Sequence, residues 1–287
     1  MLVSTEVGSY SRYGDDKAVI KMLSECGFSA YDYTLVSNAP GYALLLSDDY
    51  IERAIELRRT ADSIGIICNQ THAPFPTARK GNAEYNQRMV PQIIRALEIT
   101  KILGAKVCVV HPCNDYTPEE NVEMYNQFAG IAKDLGIKIA TENMWNWASG
   151  SPTATPAACS AHENFKSHME LLDKEVFVAC LDIGHAELAG LGTSAVQIIE
   201  TLGSYVQCIH LHDNDGLNDY HGLPFMYNIQ FQPIIDALKK IGYQGDITLE
   251  ARGGYANKVP VTLIPAAARF SASVANYFKD ALQMEKV

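Results

Sequence analysis

Histidine, aspartate and glutamate recur in this chain at the ends of short apolar runs. Glu6 closes the run Leu2–Glu6, His72 lies just past Ile66–Asn69, and His111 follows Lys106–Val110. Glu142 follows Ile137–Thr141, and Asp182 closes Val176–Asp182 with His185 three residues on. His210 stands in Val206–Leu211 with His212 just beyond, and Glu250 closes Asp246–Glu250. Carboxylates and imidazoles are the side chains that bind divalent cations and carry protons. At the tips of buried apolar strands each would be costly without a partner, whereas one bound cation satisfies several together. A lone glutamate at a strand end is more often an ion-pair partner, and a lone histidine a hydrogen-bonded structural residue. So many at matching places in successive units point instead to one shared site. His162 and His168 fall in a helical stretch and read as structural.

The elements that must position these residues are legible as an alternation. The eight apolar runs are too short for helices and rich in β-branched residues. Helical patterns lie between them, as in Tyr50–Ile64, Glu84–Leu103, Pro118–Leu135 and Phe231–Ile241. Gly27, Gly65, Gly104, Gly136, Gly203 and Gly242 each follow a helix-like segment, where glycine can close a helix in the left-handed conformation. Eight alternating units imply a parallel sheet that closes: an α/β fold, a single-domain (β/α)8 TIM barrel spanning residues 1–287. Long connections Gln70–Asn82, Asn143–Ser160 and His212–Ile229 leave the carboxyl ends of strands, where barrel enzymes build their sites. Side chains alternate along a strand, so Glu250 shares a face with Thr248, and His210 with His212.

Composition narrows the function. The chain has 287 residues, 47% of them hydrophobic, enough for a large core. No run approaches the about 18 apolar residues of a membrane helix. The N-terminus lacks a basic start and apolar stretch, so a cytoplasmic location is expected. Thirty-three acidic residues against 23 basic ones give a net charge of −10, which disfavours a nucleic-acid partner. The seven cysteines form no CxxC pair; Cys68, Cys108, Cys180 and Cys208 read as small buried hydrophobes, while Cys113, after His111-Pro112, falls beside the proposed site.

The motifs Thr71-His72-Ala73-Pro74-Phe75, Val109-Val110-His111-Pro112, Thr141-Glu142-Asn143, Leu181-Asp182-Ile183-Gly184-His185-Ala186, Ile209-His210-Leu211-His212-Asp213-Asn214, Asp219-Tyr220-His221 and Ile241 to Glu250 follow one another in order. In this the chain resembles the sugar-phosphate isomerase/epimerase family of the xylose-isomerase-like barrel superfamily. The resemblance implies one divalent ion, Mn²⁺ first and Zn²⁺, Co²⁺ or Mg²⁺ otherwise, held by Glu142, Asp182, His210 and Glu250. Three carboxylates and one imidazole form a hard site that suits such ions. The superfamily also contains endonuclease IV, a phosphodiesterase with three zinc ions. His72 and His111, with Glu142, match one of its zinc sites, and His185, Asp219 and His221 match another. Against that activity, Ala73-Pro74-Phe75-Pro76 differs from its DNA-penetrating loop. Gly222-Leu223-Pro224-Phe225 departs from the glycine-rich stretch usual in both groups.

The expected activity is isomerisation or epimerisation of a sugar or sugar phosphate through an enediolate. Glu142 and Glu250 act as the acid/base pair, and His185 and Arg252 hold substrate hydroxyls or a phosphate. Trp145 and Trp147 either wall an apolar sugar face or pack the loop. The alternatives are a lyase or dehydratase acting on an oxo-sugar, since the same stabilised anion serves elimination, and the trinuclear zinc phosphodiesterase. The expected partner is a small molecule, with neither membrane nor nucleic acid, and homo-oligomerisation stays open.

Overall fold

The computed structural model describes residues 1–37, 39–251 and 258–284. Eight parallel strands form a nearly closed barrel: β1 (Val3–Thr5), β2 (Ala30–Thr34), β3 (Ile67–His72), β4 (Val107–Val109), β5 (Lys138–Glu142), β6 (Phe177–Asp182), β7 (Val206–Leu211) and β8 (Ile247–Leu249). From β2 to β8 each strand pairs with its neighbour in sequence, and β8 returns to β1. A single parallel bridge, Glu6 to Asp32, joins the ends of β1 and β2. A helix follows each strand on the outside, including α1 (Asp16–Glu25), α2 (Tyr50–Ile64), α3 (Ala83–Leu103), α4 (Pro118–Leu135), α5 (His162–Leu171), α6 (Ala195–Leu202), α7 (Phe231–Ile241) and α8 (Ile264–Gln283). This is a TIM barrel.

Local sequence explains the outer ring. At α4, Thr117 accepts from the backbone of Glu120, whose side chain accepts from the backbone of Thr117; Pro118 sits in the first turn, and Gly136 closes the helix at φ +67°. The buried faces of these helices and the outward faces of the strands make one continuous apolar layer. One boundary departs from expectation by more than a residue. The run read as Ile66–Asn69 extends as β3 to His72, so Gln70 and His72 are strand residues and the following loop is shorter. The polar character of Asn69, Gln70, Thr71 and His72 hid the strand, because these side chains serve the barrel interior rather than an apolar face.

Two register slips aim the interior. Between β6 and β7 the pairing runs Ala179 to Val206 and then Cys180 to Cys208, which brings Asp182 beside His210. Without the extra β7 residue Asp182 would stand beside Ile209 and His210 would face the helices, because a one-residue shift exchanges the faces of a strand. A second slip, between Tyr31 and Asp32, sets Asp32 beside Gln70. Two residues before the strand-end polar groups lies a lower interior layer. Val109, Ala140, Cys180 and Cys208 are its apolar half, and Thr248, Ser4, Asp32 and Gln70 its polar half; all are buried.

Candidate metal centre at the barrel mouth

Glu142, Asp182, His210 and Glu250 each present one ligand atom, and these four atoms lie within 4.8 Å of one another. Two metal–oxygen bonds of about 2.4 Å span that distance. All four residues are buried, with exposures of 1%, 0%, 0% and 4%. His210 Nδ1 lies 2.8 Å from Glu250 Oε2 and 3.3 Å from Glu142 Oε2. Despite the short approach, Glu142 Oε2 and His210 Nδ1 have no hydrogen bond of acceptable angle. With atoms of Asp182 and Glu250 they lie close enough together to share one cation. The donor set therefore fits a hard divalent ion.

Electrostatics agree with that convergence. Burial pushes the Glu142 carboxyl up, but the His210 and His111 imidazoles outweigh it and hold the group well below the usual carboxylate range. Burial works against a charged His210, yet Glu142 and Glu250 raise it well above its ordinary value. Cation binding would displace the proton from this imidazole.

Further histidines flank the four. His72 Nε2 lies 3.7 Å and His111 Nε2 3.2 Å from Glu142 Oε2, and the two nitrogens are 2.8 Å apart. His72, Glu142 and His210 form a second group of possible ligands. Burial lowers His111, whereas contact with Glu142 overcomes burial at His72 and raises it. A third group joins His185, His212, Asp219 and His221. His185 Nε2 and His221 Nε2 lie 3.2 and 3.0 Å from Asp219 Oδ2. Burial of the Asp219 carboxyl is outweighed by these histidines, which hold it far below its ordinary range; Asp182 and Asp219 in turn raise His185 against its burial.

Three of these rings are fixed by the same device. His72, His185 and His221 place Nδ1 at 3.1, 3.0 and 2.8 Å from the carbonyl oxygens of Ala73, Asn143 and Glu250. A carbonyl only accepts, so Nδ1 carries the proton and Nε2 faces the cluster. His221 adopts φ +46°, a conformation few non-glycine residues take, to make its bond.

A model of the xylose isomerase-like TIM barrel family matches residues 20–274. The chain belongs to this family. An uncharacterised protein of Methanocaldococcus jannaschii, MJ1311, is 30% identical over 244 residues, 80% of this chain and 77% of that protein. A D-tagatose 3-epimerase-like protein superposes at a TM-score of 0.75 with 24% identity, covering 98% of each chain. D-psicose 3-epimerase, solved in the presence of D-fructose, superposes at 0.76 with 15% identity, covering 99% of this chain and 100% of that one. IOLI protein with a bound zinc atom superposes at 0.74 with 15% identity, covering 98% of each. At these identities the structural likeness establishes the shared barrel.

Around this family barrel, several contacts escaped the sequence reading. Asn143 brackets Asp182, its Nδ2 donating to the Asp182 carbonyl at 2.8 Å and its Oδ1 accepting from the Asp182 amide at 2.7 Å. His212 Nε2 approaches both Asp182 oxygens, at 2.9 and 3.1 Å. Gly184 makes room for that ring: a Cβ there would come within 1.9 Å of it. The loop after β7 is pinned by Asp213, which accepts from the amides of Tyr227 and Ile229 and pairs with Gly222. The departing segment thus anchors the loop that carries Asp219 and His221, with Leu223 buried and Phe225 packed on Phe231 and Phe278. Trp145 packs with Ala154, Leu188 and Leu191, while Trp147 is 54% exposed. His168 is buried and bonds Asn164 and Asn121. All seven cysteines are free and buried, and Cys113 belongs to the apolar layer. Arg252 lies outside the described residues.

Proposed function

We propose that this protein is a divalent-cation-dependent epimerase or isomerase of a ketose or sugar phosphate. The observation that carries the reading is a set of four ligand atoms in which two glutamates arrive from different strands, β5 and the end of β8. A cation bound there supplies Lewis-acid polarisation of a carbonyl. Glu142 and Glu250 are the groups positioned to remove a proton from the neighbouring carbon and to return one. Asp182, bonded to His212 and to the His185 amide, acts as a holding group with no part in the proton transfer. Phe75 stands against the His111 ring at 4.5 Å and supplies an apolar wall there. The mouth histidines His72, His111, His185 and His221, with Asp219, are suited to hold hydroxyls. A cytoplasmic location and Mn²⁺ as the working ion complete the reading.

NMR of candidate ketoses in D₂O with Mn²⁺-loaded protein tests it. Deuterium should enter at the carbon next to the carbonyl, and Glu142→Gln or Glu250→Gln should slow exchange by about 10²–10⁴-fold or more, the usual range for losing an acid–base group. A preparation that cuts an abasic-site duplex while exchanging no proton would overturn it. One observation favours that second reading: the His185, His212, Asp219 and His221 group could hold a further cation, as a multinuclear phosphodiesterase requires. Metal analysis separates the two, since one ion per chain supports the epimerase and three zinc ions support the hydrolase. Elimination from an oxo-sugar would use the same glutamates and would appear as product dehydration.

A further inference from the structure

Beneath the mouth, three buried side chains form a line across the barrel. The Gln70 amide, from β3, lies with Nε2 at 3.1 Å from Asp32 Oδ2, from β2, and at 2.8 Å from His210 Nε2, from β7. Exposures are 2%, 1% and 0%. Its other end meets Thr248 Oγ1 at 3.4 Å, and Thr248 in turn meets Ser4 Oγ and Asn69 Nδ2 at 2.9 and 3.1 Å.

The ends of an amide are nearly isosteric and exchange by a half-turn. With the nitrogen inward, Gln70 donates to His210 Nε2. The imidazole proton then sits on Nδ1, pointing at Glu142 and Glu250 where a cation would be held. With the oxygen inward, His210 Nε2–H donates to Gln70 Oε1 and Nδ1 is bare. The outer end is satisfied either way, because the Thr248 hydroxyl both donates and accepts. The second seating also turns the amide oxygen toward Asp32, which then has to donate as a neutral acid.

The surroundings of Asp32 fit that role. No lysine or arginine pairs with it among the described residues, and its Oδ1 meets no hydrogen-bond donor there. An ionised carboxylate with so little compensation is expensive to bury. Burial, outweighing the nearby His210, pushes the group up to about 7. The register slip at Tyr31/Asp32 is what brings it level with Gln70.

We propose that Asp32 and Gln70 are positioning residues that set the tautomer of His210, leaving its Nδ1 bare toward the cation. The inference rests on reading the mouth as a cation site, and its test needs no substrate. Calorimetry measures Mn²⁺ affinity for the wild type and for Gln70→Leu, Gln70→Met, Asp32→Asn and Asp32→Leu. Melts of the metal-free proteins report folding, and ¹⁵N NMR of the histidine rings reports the tautomer. Losing an outer partner of a ligating histidine costs about 10–100-fold in metal affinity, so that loss is expected for both Gln70 variants and Asp32→Leu. Asp32→Asn should stay within a few-fold of wild type, because its amide N–H donates where the acid O–H did. Folded Gln70 variants that bind Mn²⁺ as tightly as wild type, or an Asp32→Asn loss equal to that of Asp32→Leu, would overturn the proposal. Absence of deuterium exchange from every ketose would sink the epimerase reading and leave these affinities to be judged on their own.

Discussion

Asp182 is the residue whose environment most narrows its role. Its carboxylate accepts from the His185 amide at 2.6 Å and faces His212, and its backbone is bracketed by Asn143. A carboxylate so held is rigid, which suits a ligand and not a group that must swing to a carbon. Asp182→Ala should abolish Mn²⁺ binding and turnover while the barrel stays folded, since the Asn143 bonds to its backbone survive. The loss of its cap on the short helix Ile183–Ala186 should cost about 0.5–2 kcal/mol. Full metal occupancy with wild-type turnover would remove Asp182 from the site. The four residues of the central group were legible because each is a charged or imidazole group closing an apolar run. Gln70 and Asp32 were not legible: neutral amides and isolated aspartates inside strands carry no signal until the register of three strands is known. His212 was visible as a strand-end histidine, but its bond to Asp182 depends on a slip that no local pattern announces.

At the scale of elements, strand order and the helix bounds Tyr50–Ile64, Pro118–Leu135 and Phe231–Ile241 follow from periodicity and from glycine stops, and the structure has them at those residues. The end of β3 did not follow, because its last residues are polar. The turn Ile183–Ala186 between β6 and α6 shows why small residues matter at the mouth. His212 is wholly buried, and Gly184 leaves the space its ring fills. Gly184→Ala would bring a methyl to 1.9 Å from His212 Cε1 and 2.4 Å from Nε2. The ring or the turn must move, at a cost of about 1–3 kcal/mol for overpacking. Because the ring holds Asp182, the variant should also bind Mn²⁺ more weakly; calorimetry beside a thermal melt checks both. A variant that melts as wild type and binds Mn²⁺ with unchanged affinity would mean that the His212–Asp182 contact does not organise the site.

Across the whole molecule, the mouth concentrates buried acids and bases that compensate one another, and this couples folding to pH and to cations. The imidazoles of His210 and His185 are raised above their ordinary value by Glu142 and Glu250, and by Asp182 and Asp219, against the effect of burial. A base raised in the folded state stabilises fully below its unfolded value of about 6.5 and loses that contribution as pH rises through the folded value. Asp32, an acid raised to about 7, acts in the same sense: its contribution is present at low pH and gone once pH passes about 7. Glu142 and Asp219 are lowered, so they stabilise above about 4 and lose that only at lower pH. His111, lowered by burial, opposes the trend on the acid side. From pH 6 to 8 the site's own contribution to the metal-free chain should therefore fall. A divalent cation bound there would replace the proton on His210 and neutralise the same carboxylates, so its binding should strengthen as protons leave. Ligand at about 100 times its dissociation constant stabilises by about 2.7 kcal/mol, and that increment should grow from pH 6 to 7, whereas above about 7 ionised Asp32 favours the His210 proton on Nδ1 and works against it. Melting the chain with and without a fixed excess of Mn²⁺ at pH 6, 7 and 8 isolates the effect, because groups far from the mouth cancel in the difference. A Mn²⁺-dependent stabilisation that shrinks from pH 6 to 7 would contradict the charge pattern assigned to His210, Glu142 and Glu250.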